Sequence, residues 1–392
     1  MLNTKTANVL PGILFAAAFL CLFGSLSIPS VGQTDDAQPN FTAGAGNIIV
    51  HSKFGGQIFG FDIDQNGTEG ILSESQTLSN GNVLAAVETF DQTTGKILNV
   101  LVKTTTQDDF VTLGVVGNSV GLVEREHVIS LFHVQRTFGL LNPLSANKFT
   151  GLWTPPIDTK HLLEEVSRNQ GTTNVAVFAS GFNANPVVFS SNVAANTFGP
   201  LIPLTDPAFT FGVAPMLALN TKTNQAVLAQ DFGSPTSVPV IGVANLTTGT
   251  VTTFTGVGLG FVNGIAVDSA DGIAGTTTEI DFSVEFYDLA KKIGFRVTLP
   301  GATQQIFSGA DVEFDPVNHL FLVAQPVSST FGSGSSIQVF DAKGNFVESI
   351  NGLNFSNASN VIPVHIALKP STRTGFVDGP SAGVTELQSF TY

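Results

Sequence analysis

Short apolar stretches, many alternating with polar residues, recur along the whole chain, and each is bounded by Gly, Asn, Asp or Pro. Alternation with a period of two is the pattern of half-buried strands, and the bounding residues are those that tight turns use. One unit is legible twice. Its first copy opens at Gly264-Ile-Ala-Val-Asp268 and closes at Val284-Glu-Phe-Tyr-Asp288. The second opens at Asp311-Val-Glu-Phe-Asp315 and closes at Ile337-Gln-Val-Phe-Asp341. The openings lie 311 − 264 = 47 residues apart and the closings 337 − 284 = 53. Four strands in about 50 residues is the period of a β-propeller blade. The expected fold is all-β, a single β-propeller of seven four-stranded blades. Six is the alternative if residues 151–205 do not complete a blade.

Read in order, the third strand of each unit is expected at Ile58, Ile129, Val187, Ile241, Val284, Ile337 and Leu387. The first unit lacks an opening strand and the last lacks a closing one, so the two ends of residues 47–392 are expected to share a blade. Closing the ring in this way removes an exposed sheet edge. Residues 105–127 read as an insertion hairpin. Residues 158–168 read as the one helix, with Asp158 capping His161-Leu-Leu-Glu-Glu-Val166. Asp62, Asn192, Asn245, Asp288 and Asp341 end strands before Gly or Asn turns. Their side chains bond the backbone two residues on, which makes them turn formers before ligands.

Composition changes the picture in three ways. The chain is 43% hydrophobic and rich in Phe (33), but Trp and Tyr together number three, so its interior is filled by rings that need no hydrogen-bond partner. The net charge is −14 and the 16 Lys and Arg form no cluster along the sequence, which argues against nucleic acid as a partner. At the N-terminus, Lys5, the apolar run Ile13–Leu26 and the small residues before Gln33 read as a signal peptide over 1–32, followed by a flexible segment over 33–46. Cleavage there leaves no membrane span and removes Cys21, the single cysteine, so packing alone must stabilise the fold. This points to an exported protein, periplasmic or extracellular, and an exported chain without disulfides to a bacterial origin.

The repeats resemble those of NHL and YVTN-type β-propellers over most of residues 47–392. That group includes calcium-dependent gluconolactonases and related sugar-lactone hydrolases. Val262-Asn263-Gly264-Ile265-Ala266 resembles their Pro-Asn-Gly-Ile/Leu-Ala stretch, with Val in place of Pro, and Gly309-Ala310-Asp311-Val312 resembles the later metal-binding stretch in its Asp. The lactonase's N-terminal metal-binding Glu has no counterpart. Asn263, Asp311 and His365 precede three consecutive inner strands in nearly the same register and are expected to converge at one mouth of the central channel. Asn and Asp oxygens suit Ca²⁺, and an imidazole suits another divalent cation or a general base. A hydrogen-bonded polar plug is the simpler account of the same three residues.

Composition argues against other propeller chemistries. Trp153 is the only tryptophan, so neither a Trp-docked quinone, an Asp box ending in Trp, nor a tryptophan-aspartate repeat can be assembled. No haem-attachment motif, P-loop, zincin helix or nucleophile elbow occurs. The expected function is therefore a non-catalytic binding or structural module for a protein or small-molecule partner. The alternative is a metal-assisted hydrolase or lactonase with a cation in the channel.

Overall fold

The computed structural model describes residues 42–105, 108–115, 121–130, 133–141, 149–153, 157, 161–167, 172–181, 184–193, 195–209, 215–230, 237–278, 283–301, 310–325, 335–355, 364–381 and 384–392. The signal peptide expected over 1–32, the segment 33–41 and Asp158 lie outside these residues. Among the described residues no helix is long and apolar enough to cross a membrane.

Among the described residues twenty-nine strands form seven antiparallel sheets, six of four strands and one of five. Strand β1 (Gly44–His51) comes first and joins the last sheet. Blade 1 is β2 (Gln57–Ile63), β3 (Glu69–Thr77), β4 (Val83–Asp91) and β5 (Ile97–Thr104). Blade 2 is β6 (Asp108–Val115), β7 (Gly121–Ser130), β8 (His133–Leu141) and β9 (Phe149–Trp153). Blade 3 is β10 (His161–Val166), β11 (Asn174–Gly181), β12 (Ala184–Asn192), β13 (Thr197–Phe198) and β14 (Ile202–Pro203). Blade 4 is β15 (Met216–Asn220), β16 (Gln225–Gln230), β17 (Val240–Asn245) and β18 (Val251–Thr255). Blade 5 is β19 (Val262–Asp268), β20 (Ile273–Thr278), β21 (Ser283–Asp288) and β22 (Ile293–Thr298). Blade 6 is β23 (Asp311–Asp315), β24 (Leu320–Gln325), β25 (Ser335–Asp341) and β26 (Phe346–Leu353). Blade 7 is β27 (Ile366–Lys369), β28 (Thr374–Ser381), β29 (Val384–Thr391) and, outermost, β1.

The fifth strand of blade 3 is the outer place shared by two short pieces. Strand β12 pairs with β13 at Asn192 and with β14 at Val187, and Gly199 and Pro200 lie between the two pieces. The first strands of successive blades adjoin around the axis: β15 meets β19, β19 meets β23, β23 meets β27, and β27 meets β2. This is a closed ring, a single β-propeller. Its ends share blade 7 as expected, through the ladder in which Val50 faces Leu387 and His51 faces Glu386.

Four local expectations are corrected. His161–Val166 is the inner strand of blade 3, not a helix. Its apolar pair Leu162-Leu163 mimics helical spacing, but a bulge between Leu163 and Glu165 restores the strand ladder with β11, and the bonds of that ladder outweigh the local pattern. Residues 108–130 do form a hairpin, yet it is the first half of blade 2 and not an insertion. The segment expected to be flexible up to residue 46 is already strand from Gly44. Finally, Ile58 lies in the first strand of blade 1 and Ile129 in the second of blade 2, while the other five third strands stand where expected. Phe61-Asp62 imitates the Phe-Asp ending of a third strand. The true ending in blade 1 is Phe90-Asp91, whose Asp91 Oδ1 accepts the amides of Thr93 and Thr94.

Apolar side chains fill the wedges between blades. Between blades 5 and 6, Phe286 is fully buried and meets Phe321 and Phe340 edge-on at 5.3 and 6.1 Å. Between blades 6 and 7, Leu322, Val339, Ile350, Ile366, Phe390 and Tyr392 form a second such core.

Candidate functional site

Each inner strand runs from one mouth of the central channel to the other, so the residues at its two ends define two rings. At the carboxyl ends, the chain turns back through side chains that bond the backbone ahead of them. Asp64 Oδ1 accepts Asn66 and Gly67, Asn220 Oδ1 accepts Thr223, Asp268 Oδ1 accepts Ala270 and Asp271, and Asp315 Oδ1 accepts Val317 and Asn318. The third strands end likewise at Asn245, Asp288 and Asp341. In Asp288 the bond from Lys291, followed by the turn amides, holds the carboxyl below its usual range. The turn-forming role expected of these residues holds. In blade 1, however, Asp64 takes the role expected of Asp62.

The same ring is stapled from blade to blade. Lys222 Nζ of blade 4 donates to Ala270 O of blade 5 at 2.5 Å, and Asn318 of blade 6 reaches Pro370 O of blade 7 at 3.4 Å. Lys369 of blade 7 donates to Gly67 O of blade 1. His319 Nδ1 lies 3.4 Å from Asp268 Oδ2, and with Asp271 these offer ligand atoms within 4.8 Å of one another. Asp268 is fully buried and spends one oxygen on two amides and faces the imidazole with the other, so its geometry is that of a strand-end turn with a cross-blade contact. Above this ring opens a cavity of about 390 Å³, lined by Gln65, Lys222, Asp268, Glu313 and Phe314 from four blades.

The three residues expected to converge belong to the starts of the inner strands, at the opposite mouth, and of them the structure sets Asp311 and His365 side by side. Asp311, buried at the start of β23, accepts the amide of Ile366 through Oδ2 at 2.9 Å, and His365 Nδ1 is 3.9 Å from the same oxygen. Asn263 precedes Gly264, which packs so closely on Asp311 that a Cβ there would stand 2.9 Å from both Asp311 Oδ1 and the Val312 amide. His365 is held in turn by Asp378, whose Oδ1 accepts its amide and whose own amide donates to His365 O. Gly264→Ala therefore pushes the blade 5 strand against the backbone of blade 6. A loss of about 1–3 kcal/mol is expected in urea unfolding, the range for overpacking a rigid site. A change below about 0.5 kcal/mol would mean that blades 5 and 6 are not in such contact.

Sequence reasoning missed a row of buried polar side chains in the third strands, three residues before the strand-end Asp or Thr: Glu88, Glu285, Gln338 and Gln388. Glu285 takes hydroxyl bonds from Thr276, Thr278 and Ser283. Its charge adds to burial in pushing the neighbouring Tyr287 phenol up to about 12. Gln338 bonds Gln325, Ser336 and Ser349. The recurring Glu or Gln before an aromatic and an Asp is the signal that could have found the row.

Eight large apolar side chains stand exposed among the described residues, and four of them lie on outermost strands, Ile293 and Phe295 on β22 with Phe346 and Val347 on β26. Phe295 stacks on Phe286 at 5.5 Å, Phe346 packs on Phe340 at 5.9 Å, and Gly344 between them lies against the Phe295 ring. Lys292 and Lys343 adjoin this ridge in sequence and are exposed, and neither has an ion-pair partner among the described residues. β22 and β26 are outermost strands.

No family model and no curated protein matches the chain. Solved structures do resemble it. The structure of U3-55K superposes with a TM-score of 0.58 at 12% identity, covering 89% of this chain and all of that one. The RRP9 WD40 repeats give 0.57 at 13% identity over 89% and 99%. The Cps50 (Swd1) β-propeller domain of Myceliophteria thermophila gives 0.54 at 10% identity over 90% and 100%. At such identities the likeness carries the fold alone, and the fold is that of a β-propeller.

Proposed function

We propose that the chain is a non-catalytic β-propeller that docks an extended segment of a partner protein, acidic and apolar in character, on the rim between blades 5 and 6. The observation that carries this reading is the ridge of Ile293, Phe295 and Phe346 flanked by the exposed ammonium groups of Lys292 and Lys343. On a chain of net charge −14 a local cationic, apolar patch selects a segment of opposite charge. The unpaired edge of an outer strand adds backbone hydrogen bonds for an extended chain. The acidic residues at the channel ends are already engaged in turns and cross-blade bonds, which supports a role without chemistry. The apolar run before Gln33 supports export, and the repeat pattern supports kinship with NHL and YVTN-type propellers. Binding of a labelled peptide of about twelve residues, alternating Glu with Phe and Leu, tests the site by fluorescence anisotropy. Charge reversal in Lys292→Glu/Lys343→Glu should weaken binding about tenfold or more, while Lys96→Glu on blade 1 should not. Equal effects of the two changes would overturn the reading.

A second reading places Ca²⁺ or another divalent cation at Asn263, Asp311 and His365 and makes the protein a metal-assisted hydrolase. The approach of His365 Nδ1 to Asp311 Oδ2 favours it. It requires calorimetric binding of Ca²⁺, Zn²⁺ or Mn²⁺ that Asp311→Ala abolishes, and fails if the heats are unaffected by that change.

A further inference from the structure

The connection from β1 to β2, Ser52–Gly56, is where the strand that closes the ring passes to blade 1. It is held from beneath by two glutamates. Glu74 of β3 accepts the amide of Phe54 through Oε1 at 3.0 Å and that of Gly56 through Oε2 at 2.7 Å. Glu88 of β4 accepts the amide of Lys53 through Oε2 at 2.9 Å. Both side chains are fully buried. Ser52 Oγ closes the loop on Gly56 O, and Lys103 sits over the Phe54 ring at 4.1 Å.

Three of the four carboxylate oxygens are thus satisfied by backbone amides. The fourth, Glu88 Oε1, is buried without a donor. Glu74 is the acid on the same face of the adjacent strand, two register places away, since Glu74 faces Ala86 and Glu88 faces Leu72, but two carboxylates offer each other only acceptors. The equivalent side chains of other blades show what is missing. Glu285 is surrounded by three hydroxyls, and Gln338 by hydroxyls and an amide. In blade 1 the neighbour is a second acid. A proton on Glu88 Oε1 supplies the absent donor, directed at Glu74, and removes the repulsion between two buried charges.

The geometry points to Glu74 and Glu88 as a site that binds one shared proton and thereby fastens the ring-closing strand, so that closure loosens as pH rises. Burial is the main reason the Glu88 carboxyl is pushed up to about 7, with the Glu74 charge adding and the Lys53 amide opposing. The charged groups acting on it are Glu74 and Lys53. Lys103 faces the loop, and the exposed His51, 3.6 Å from Glu386, lies on the closing ladder itself. The folded value lies above the ordinary 4.5, so the stabilisation is fully present below about pH 4.5 and is lost as pH rises through about 7.

Hydrogen exchange by mass spectrometry on the full chain, corrected for intrinsic rates, tests this. Between pH 5.5 and 8.5 the opening of residues 44–56 should rise about tenfold or more, while β19–β21 change little. In Glu88→Gln the amide donates to Glu74 permanently and the carbonyl still accepts Lys53, so the opening should be low and independent of pH. In Glu74→Gln an amide group faces the Phe54 or Gly56 amide, and the loop should open at every pH. A pH response that persists in Glu88→Gln, or wild-type opening that is flat over this range, would overturn the proposal. So would protection at pH 8.5 that depends on added Ca²⁺, since a metal and not a proton would then fill the site.

Discussion

Replacing Tyr392 with Ala is expected to destabilise the protein by about 3–5 kcal/mol, the range for deleting a fully buried ring. Tyr392 follows β29 and does three things at once. Its ring packs 6.0 Å from Phe390 in the core between blades 6 and 7. Its hydroxyl donates to the buried Asp315 Oδ2 at 2.9 Å, across to the blade 6 turn. Its face carries the Arg373 guanidinium at 5.6 Å, itself 3.6 Å from Glu348. Burial and the Asp315 charge push the phenol well above its usual range, which favours the protonated form that donates this bond. Tyr392→Phe separates the parts: it keeps the ring and removes one hydrogen bond to a carboxylate that retains three others, and should cost about 1–2 kcal/mol. Urea unfolding of both variants checks the pair. Equal losses would mean that the hydroxyl alone accounts for the effect.

Phe286→Ala should be of similar size, about 3–5 kcal/mol, and for a different reason. Phe286 is the hub of the wedge between blades 5 and 6, touching Phe295, Phe321 and Phe340. Its loss leaves a cavity that two rigid sheets cannot close. It also removes the support under Phe295, so peptide binding at the rim should fall in the same variant, whereas Tyr392→Ala should leave it unchanged. Thermal melts and the anisotropy measurement together decide this. A Phe286→Ala protein that binds as tightly as wild type would separate the core from the rim.

The parts of the fold legible in the sequence are those where local chemistry and ring position agree. Blades 5 and 6 announce themselves because β19, β21, β23 and β25 each end in an Asp that turns the chain and the strands recur on a regular period. Blade 1 was misread because Phe61-Asp62 carries the third-strand ending in a first strand, and β10 because Leu162-Leu163 and Glu164-Glu165 alternate in pairs. In both cases the ladder with a neighbour, invisible in one sequence, decides. Register also makes Asp311 and His365 neighbours, since residues before consecutive inner strands adjoin around a ring. The glutamate pair under the closing loop could not be read, because Glu74 and Glu88 meet only through the offset of β3 against β4 and the path of Ser52–Gly56 above them. Nor could the rim, where Phe295 and Gly344 are 49 residues apart in sequence (344 − 295) and meet only because blades repeat. The tryptophan-aspartate signature is absent from a chain whose solved likenesses include WD40 repeats, so packing of blades, not that dipeptide, is what the fold requires.

The central claim is that strand β1 closes the ring as the outermost strand of blade 7, and a cross-link tests it most directly. His51 and Glu386 face each other in the β1–β29 ladder, at the separation a disulfide spans. In a Cys21→Ser background, His51→Cys/Glu386→Cys should form an intramolecular disulfide on mild oxidation in the folded monomer, with a faster-migrating band under non-reducing conditions and a raised melting temperature. Two free thiols in the folded protein, or a bridge formed only between molecules, would contradict this closure.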